Sequence, residues 1–408
     1  MNVLVLNRWP QYPNSDRWDN SLARLDELLP ATQFRVSYMC DQTGRQGLPA
    51  QADDIHIVDD FADHDQVVEL AEHIQAERGR FDLVVAFSEF LLDVAGRIRQ
   101  RCGIAGPGPD EVEWFRNKHI MKQRVEAAGL RVPRWFLCHS PEQVLSDARS
   151  LGFPLIFKPL RGAVSQGVHK VSNAAELAAL CRSTALQGQE IEEYIEGRLM
   201  HTDGVVGRDG CIYMCTSRYI VPCLDFEHGA ALGSVIQTEV TDECKAFILS
   251  ALAALRLRNS AFHLEFFDTG REFVFLEIGA RVPGADVPYV LHDVHGVNLF
   301  RLWIDVMLGR EISPIAIDPE ASGGWLMIPR PKPLPQQVVD ATPMMGKIPF
   351  LYRELIPKPG QILQQGGGYA TLQGGRFLFR GGDQREIEDA IEATLAAYRI
   401  TTTPYAMV

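Results

Sequence analysis

The chain has no hydrophobic run long enough to cross a membrane, since nothing in it approaches the roughly 18 apolar residues that a span needs. At the N-terminus only Val3 to Leu6 is continuously apolar before Asn7, too short for the core of a signal peptide. An excess of positive charge is also missing. A net charge of -12 speaks against a general nucleic-acid surface and leaves room only for a local basic pocket that takes phosphate. The eight cysteines, at positions 40, 102, 138, 181, 211, 215, 223 and 244, include no C-x-x-C pair, and the spacing of Cys211, Cys215 and Cys223 matches no zinc pattern. Scattered thiols without a leader point to a reducing cytoplasm. The first strand is not followed by G-x-G-x-x-G, which weakens a dinucleotide role for the N-terminal region, and no internal repeat is evident.

What is present is an ordinary globular composition, 46% hydrophobic and 23% charged, in 408 residues. That length suits about two to four domain-sized units. Residues 1–112 alternate buried strands (3–6, 34–39, 81–89) with helices (21–29, 67–78 and one ending at Arg101), which predicts a parallel, doubly wound, Rossmann-like sheet. A helix is expected over about 111–128, opened by Pro109 and Asp110 and stopped at Gly129. Strands follow at 133–138, 154–159, 167–171 and 189–195, with helices at 141–151 and 174–182, giving a unit that closes near 200. Residues 201–313 carry strands around Val205, Tyr213 and Tyr219, a helix at 241–257, a β-hairpin and a helix at 298–308. Beyond Pro314, a proline-rich stretch at 330–335 and glycine clusters at 366–368, 374–375 and 381–382 separate short strands. A last helix at 384–398 completes a small α+β appendix over 314–408.

The hairpin, AFHLEFFDTGREFVFLEIGARVPG at 261–284, is the most informative segment. Side chains alternate faces along a strand, so His263, Glu265 and Phe267 share one face of the first strand while Phe262, Leu264 and Phe266 share the other. In the returning strand Phe273, Phe275 and Glu277 oppose Val274, Leu276 and Ile278. An odd-length turn around Asp268, Thr269 and Gly270 would set Glu265 and Glu277 on one face beside His263. Carboxylates left among aromatics need compensation, and two of them a few ångströms apart suit a hard divalent cation such as magnesium.

Three further features precede it. RNKHIMKQ sets Lys118 and Lys122 four residues apart on one helix face. In FPLIFKPLRGAVSQGVHKV an apolar strand ends at Lys158, and a loop with Gly162, Ser165 and Gly167 offers backbone N–H groups and a hydroxyl to phosphate oxygens. EIEEYIEG, at 190–197, is an apolar strand ending in acids, suited to an adenine edge. This order of lysine helix, lysine with glycine loop, acidic hinge and paired-glutamate hairpin ending in Arg281 resembles the ATP-grasp superfamily over residues 106–309. Within the superfamily the chain looks most like carboxylate–amine ligases of the dipeptide-forming L-amino-acid ligase kind.

The resemblance implies an ATP-grasp fold with four parts: a Rossmann-like N-terminal domain (1–112), a lid (113–200), a catalytic subdomain (201–313) and a C-terminal extension (314–408). It implies ATP and Mg2+ as cofactors, with Mn2+ as a substitute. Lys118 and Lys158 would bind phosphates, and 162–167 would form a lid loop with Ser165 near the γ-phosphate. Glu192, Glu193 and Ile195 would form the adenine hinge. Glu265 and Glu277 would ligate the metal, Arg281 would contact phosphate or substrate carboxylate, and His263 stands where relatives often have a cation beside the reacting carbonyl. Two positions depart from the pattern: Gly279 replaces a common asparagine ligand, and Leu199 replaces a ribose-binding glutamate that His201 and Asp203 could stand in for.

The activity implied is ATP-dependent amide formation through an acyl phosphate, on a small carboxylate and an amine, with no nucleic-acid or membrane partner and a homodimer as the default assembly. A different acceptor, such as a carrier-protein thiol or bicarbonate, and nucleotide binding without turnover are the rival readings. Segments 216–233 and 281–295 are expected to line the substrate pocket. Arg218 or Arg281 would grip a carboxylate there, and Asp286 or Asp293 an ammonium.

Overall fold

The computed structural model describes residues 1–11, 17–162, 165–221, 226, 229–364 and 373–405. The glycine cluster at 366–368, Cys223 and parts of two expected loops (163–164 and, within 216–233, 222–225 and 227–228) lie outside the described residues. No helix among the described residues is long and apolar enough to cross a membrane.

The first part is the expected parallel sheet, with strands Ile55–Ile57, Arg35–Cys40, Asn2–Asn7 and Leu83–Ala86 in that spatial order. The runs VLVL and LVVA are apolar at every position because helices cover the sheet; His64–Arg78 and Leu92–Cys102 pack on it through Val67, Ala71, Ile74, Val94 and Ile98. The helix expected at 21–29 is instead a 3-10 turn, Ser21–Ala23, and one short helix, Leu25–Leu28, after a left-handed Asn20.

The single helix expected over 111–128 is two, Pro109–Arg116 and Lys118–Ala127. Between them Asn117 is extended, at φ -107 and ψ 106, and its side chain accepts from the His119 amide at 3.1 Å. An asparagine that caps the amides ahead of it starts a new helix more readily than it continues an old one. Lys118 therefore opens a helix, with Lys122 one turn further on the same face.

A separate four-stranded sheet has antiparallel neighbours in the order Trp135–Leu137, Gln189–Glu193, Leu155–Pro159, His169–Val171. Helices Pro141–Leu151 and Ala174–Ser183 cover it over a core that includes Val144, Leu155, Phe157 and Leu177. The main sheet is antiparallel and eight-stranded: Phe273–Gly279, Ser260–Asp268, Arg198–Val206, Cys211–Val221, Leu232–Ile236, Gly323–Pro329, Gln373–Arg380 and Leu351–Leu355. Tyr213 and Tyr219, expected on separate strands, lie on one. The C-terminal residues are also less of an appendix than expected, because three of their strands extend this sheet and only Ile362–Leu363, Gln336–Ala341 and Ile400–Pro404 form a separate one. Helix Gln384–Ala397 lies close over the extension, where a Cβ at Gly324 would come within 3.0 Å of both Ile387 and Ile391.

One buried ionic knot joins distant parts of the chain. Arg376 donates through Nε to Asp286 at 3.0 Å and through a terminal nitrogen to Asp19 at 2.6 Å. Trp18 Nε1 donates to Asp286 at 2.7 Å, and the Arg376 guanidinium carbon lies 4.5 Å from the centroid of the Trp18 ring. Asp286 is wholly buried and neutralised here, so it does not offer the ammonium site expected of it. Replacing Arg376 with Met leaves that carboxylate buried without a counter-charge. Unfolding in urea should show a loss of about 3–5 kcal/mol, and a loss below about 1 kcal/mol would mean the knot is not the tie described.

Candidate active site

The two glutamates do face one another, for a reason that differs from the one expected. The loop between the hairpin strands, Thr269 to Glu272, has an even number of residues, and Asp268 pairs with Phe273 at its mouth. Continued regularly, that register would set Glu265 and Glu277 on opposite faces. A β-bulge intervenes: Phe266 pairs with Phe275 but Glu265 pairs with Glu277, leaving Leu276 as the extra residue. In consequence Phe273 and Phe275, expected beside the acids, pack instead into the core with Phe262, Leu264 and Phe266. Leu276 and Glu277 join Glu265 and Phe267 in lining a cleft.

Each acid has a partner. Glu277 Oε2 lies 2.8 Å from Lys118 Nζ. Desolvation is the largest single influence on its carboxyl and raises the pKa, but Lys118, Lys158 and His263 together outweigh it and hold the group down to about 2. Glu265 Oε1 accepts from the Tyr219 hydroxyl at 2.8 Å and has His263 Nε2 at 3.4 Å. Behind it, Asp203 holds His263 Nδ1 at 2.6 Å through one oxygen and His201 Nδ1 at 2.6 Å through the other. Burial opposes charge on His263, yet Asp203 and Glu265 raise its pKa to about 10, while the two imidazoles bring Asp203 to about 2 against its own desolvation. His201 and Asp203 are fully buried, so neither is available to hold a ribose.

Of the two lysines expected at phosphates, Lys118 pairs with Glu277 and Lys158 belongs to a second buried network. Glu190 and Glu192, two apart on a strand, present their carboxylates to the same side. Lys122 Nζ lies 2.7 Å from each of them; Lys158 donates to Glu192 and stands 3.8 Å from Glu190. Two cations and two acids balance in a space with almost no solvent. Lys122, read at sequence level only as a companion of Lys118, is its fully buried centre. Glu193 faces the other way, where Arg131 and Arg134 hold it at 2.8 and 3.2 Å.

Two cavities meet at the acid pair. One, of about 280 Å³, is a slot walled by Ile156, Tyr194, Ile195, Leu199, Phe267 and Leu276. The other, of about 430 Å³, runs toward the N-terminal domain and includes Tyr219, His263, Arg281 and Trp325. Lys118, Gly162, Ser165, Glu265 and Glu277 line both. Ser165 has a positive φ of 55 and Gly167 one of 71. Arg161, at the start of this loop, pairs with Asp93 at 3.0 Å and with Glu113.

The N-terminal domain supplies a wall that sequence reasoning missed. Glu89 accepts from Arg281 Nε at 2.6 Å and from Arg116 at 2.5 Å, and Arg8, Trp9 and Phe90 face the same cavity. The available signal was position: residues just past the carboxyl ends of parallel strands line the crevice of such sheets. Gly279 contributes by what it lacks, since a Cβ there would lie 3.3–3.4 Å from Cγ and Nε of Arg281. Within 216–233, Tyr219 and Leu232 do line this cavity. Arg218 instead pairs with Glu388 at 2.6 Å, and Asp293 accepts from the Tyr352 hydroxyl at 2.6 Å, which leaves neither as a substrate grip.

This pairing of a separate four-stranded sheet with an antiparallel platform around an apolar slot is the ATP-grasp fold, and residues 151–288 match the ATP-grasp domain family. Within that fold the chain resembles the L-amino-acid ligases. It is 26% identical over 296 residues to an L-arginine-specific L-amino acid ligase of Bacillus subtilis, covering 68% of this chain and 70% of that one. An L-amino acid ligase structure from Bacillus licheniformis matches over 98% of both chains with a TM-score of 0.74 at 17% identity. The biotin carboxylase domain of a Hydrogenobacter thermophilus 2-oxoglutarate carboxylase, solved with MgADP and bicarbonate, matches with a TM-score of 0.68 at 15% identity, over 98% of this chain and 90% of that one. A D-alanine–D-alanine ligase of Anaplasma centrale is 32% identical over 122 residues, 29% of this chain and 56% of its own length.

Removing one member of the lysine–glutamate network tests its balance. Lys122→Met leaves Glu190 and Glu192 sharing Lys158 alone, and denaturant unfolding should show a loss of about 3–5 kcal/mol. A fully stable variant would exclude the charge balance as a structural requirement.

Proposed function

We propose that the protein is an ATP-dependent carboxylate–amine ligase that makes an amide or peptide bond through an acyl phosphate, releasing ADP and phosphate. Residues 113–200 would act as lid and 201–313 as platform. The observation that carries this reading is the junction of the two cavities at Glu265 and Glu277, which lets a nucleotide in the slot present its γ-phosphate to a substrate in the wider cleft. The donors at that junction are carboxylate oxygens, and Glu277 is kept ionised, which fits a hard divalent cation such as Mg2+, with Mn2+ as a substitute. When bound, the metal would neutralise phosphate charge during transfer.

In this reading the slot residues sandwich the adenine, and the backbone of Glu193 and Ile195 meets its edge, since the Glu192 and Glu193 carboxylates are committed to lysines and arginines. Lys118 and Lys158 bind phosphate oxygens, and the 162–167 loop with Ser165 folds over the γ-phosphate. His263, held charged by Asp203, faces the reacting carboxylate, and Arg281, oriented by Glu89, stabilises the negative charge that develops there.

Glu277→Gln should retain the fold and lower substrate-dependent phosphate release by about a thousandfold or more. Unchanged turnover would sink the metal assignment. Phosphate release measured over a matrix of amino acids and small acids should require both an acid and an amine. A requirement for bicarbonate or a pantetheine thiol would select the rival acceptor, and nucleotide binding without release under any combination would refute the enzyme reading.

A further inference from the structure

A third cavity, of about 450 Å³, lies behind the reaction cleft, between the N-terminal sheet's helix Leu92–Cys102, the helix Pro109–Arg116 and the turn that leads into strand Ser260–Asp268. Trp114, Phe115, Leu257 and Trp303 give it an apolar wall, and its cations are Arg99, Arg256 and Arg258. Two acids also border it, Asp82 and Glu111. Both are exposed and already serve backbone amides, Asp82 that of Asn2 at 2.9 Å and Glu111 that of Gly108 at 3.1 Å.

Arg99 is unlike the other buried arginines named above. Arg116 faces Glu89 and Asp93, and Arg376 faces Asp19 and Asp286. Arg99 is only 8% exposed and has no carboxylate partner among the described residues. It donates to the carbonyls of Val84 at 3.0 Å and Pro107 at 3.3 Å, which uses two of the five donors of a guanidinium. Gly106 lies against its stem, where a Cβ would come within 2.9 Å of Cδ, so the loop fixes the side chain at the cavity wall. Desolvation lowers its pKa to about 10, which leaves it charged at neutral pH. Arg256 and Arg258 stand exposed on either side of buried Leu257, and neither makes an ion pair among the described residues. An uncompensated buried guanidinium is costly, and three arginines converging beside aromatic rings are the usual means of gripping a carboxylate or phosphate on an apolar body. The volume lies within the range of small-molecule sites.

We propose that this cavity is a binding site for a small organic anion, with its flat apolar part among Trp114, Phe115 and Trp303 and its carboxylate or phosphate on Arg99, Arg256 and Arg258. The site is separate from the reaction cleft but adjoins it. Phe115 lines both cavities, and Ala280, which lines this one, sits between Gly279 and Arg281 of the other. Nothing in the ligase reading requires such a site, so it stands or falls independently.

Calorimetric titration of the full chain, with the nucleotide slot filled by a non-hydrolysable ATP analogue and magnesium, tests it with phenyl phosphate, benzoate and the neutral isostere benzamide. Either aromatic anion should bind at least tenfold more tightly than benzamide, and the tighter of the two identifies the head group. The double variant Arg256→Gln/Arg258→Gln alters only exposed side chains, so its circular dichroism should match that of the parent while anion affinity falls about tenfold. Arg99→Gln should weaken binding further. Equal binding of benzamide and both anions, unchanged affinity in the double variant, or loss of the anion signal when the analogue is added would each overturn the site.

Discussion

The site depends on one constraint, that every charge brought into its interior must be balanced before any ligand arrives. Lys118 sits on Glu277, Lys122 and Lys158 are shared between Glu190 and Glu192, and His263 lies between Asp203 and Glu265. In the proposed reading Glu265 and Glu277 would hold a divalent cation beside the position where Lys118 pairs with Glu277, and the metal would supply charge neutralisation for the phosphates. The inner network behaves differently. Lys122, Glu190 and Glu192 are almost wholly removed from solvent and set a fixed pattern of charge beside Lys118 and Glu277.

The same contrast separates the parts that are rigid from those that can yield. The N-terminal domain is joined to the platform by two buried clusters, Arg281–Glu89–Arg116 and Trp18–Asp19–Asp286–Arg376. At the start of the glycine loop the exposed Arg161 pairs with half-buried Asp93 and Glu113. Ion pairs of that kind are worth under about 1 kcal/mol each. The wall that the N-terminal domain gives to the wider cavity is thus held by buried charge pairs, whereas the ion pairs at Arg161 are exposed and weak.

How much of this was legible in the sequence follows from the range over which each feature is encoded. Apolar runs flanked by helix periodicity were enough for the parallel sheet, and motif order was enough for the fold. The facing glutamates were found for an incomplete reason. An odd turn was expected, but the turn is even and a bulge at Leu276 corrects the register. Nothing in the local pattern FVFLE marks a bulge, because it is chosen by burial of Phe275 on one face and of Ile278 on the same face one residue too late for regular alternation. Asn117 was readable as a cap and was overridden by the apolar periodicity running through it. The pairing of the C-terminal strands into the main sheet and the place of Glu89 were out of reach, since pairing across the sheet and across domains leaves no local trace.

Gly279 joins these lines of argument. A missing side chain there looks like a lost metal ligand when only the motif is considered, and the geometry supplies another account. The space is used by the stem of Arg281, whose guanidinium is turned onto Glu89. A Cβ at 279 would crowd Cγ and Nε of the arginine at 3.3–3.4 Å, so an asparagine there requires the Arg281 stem to shift. In the proposed reading a cation anchored by Glu89 would stand beside the position of the usual oxygen ligand, and part of the charge stabilisation at the junction would depend on how the N-terminal domain holds Arg281.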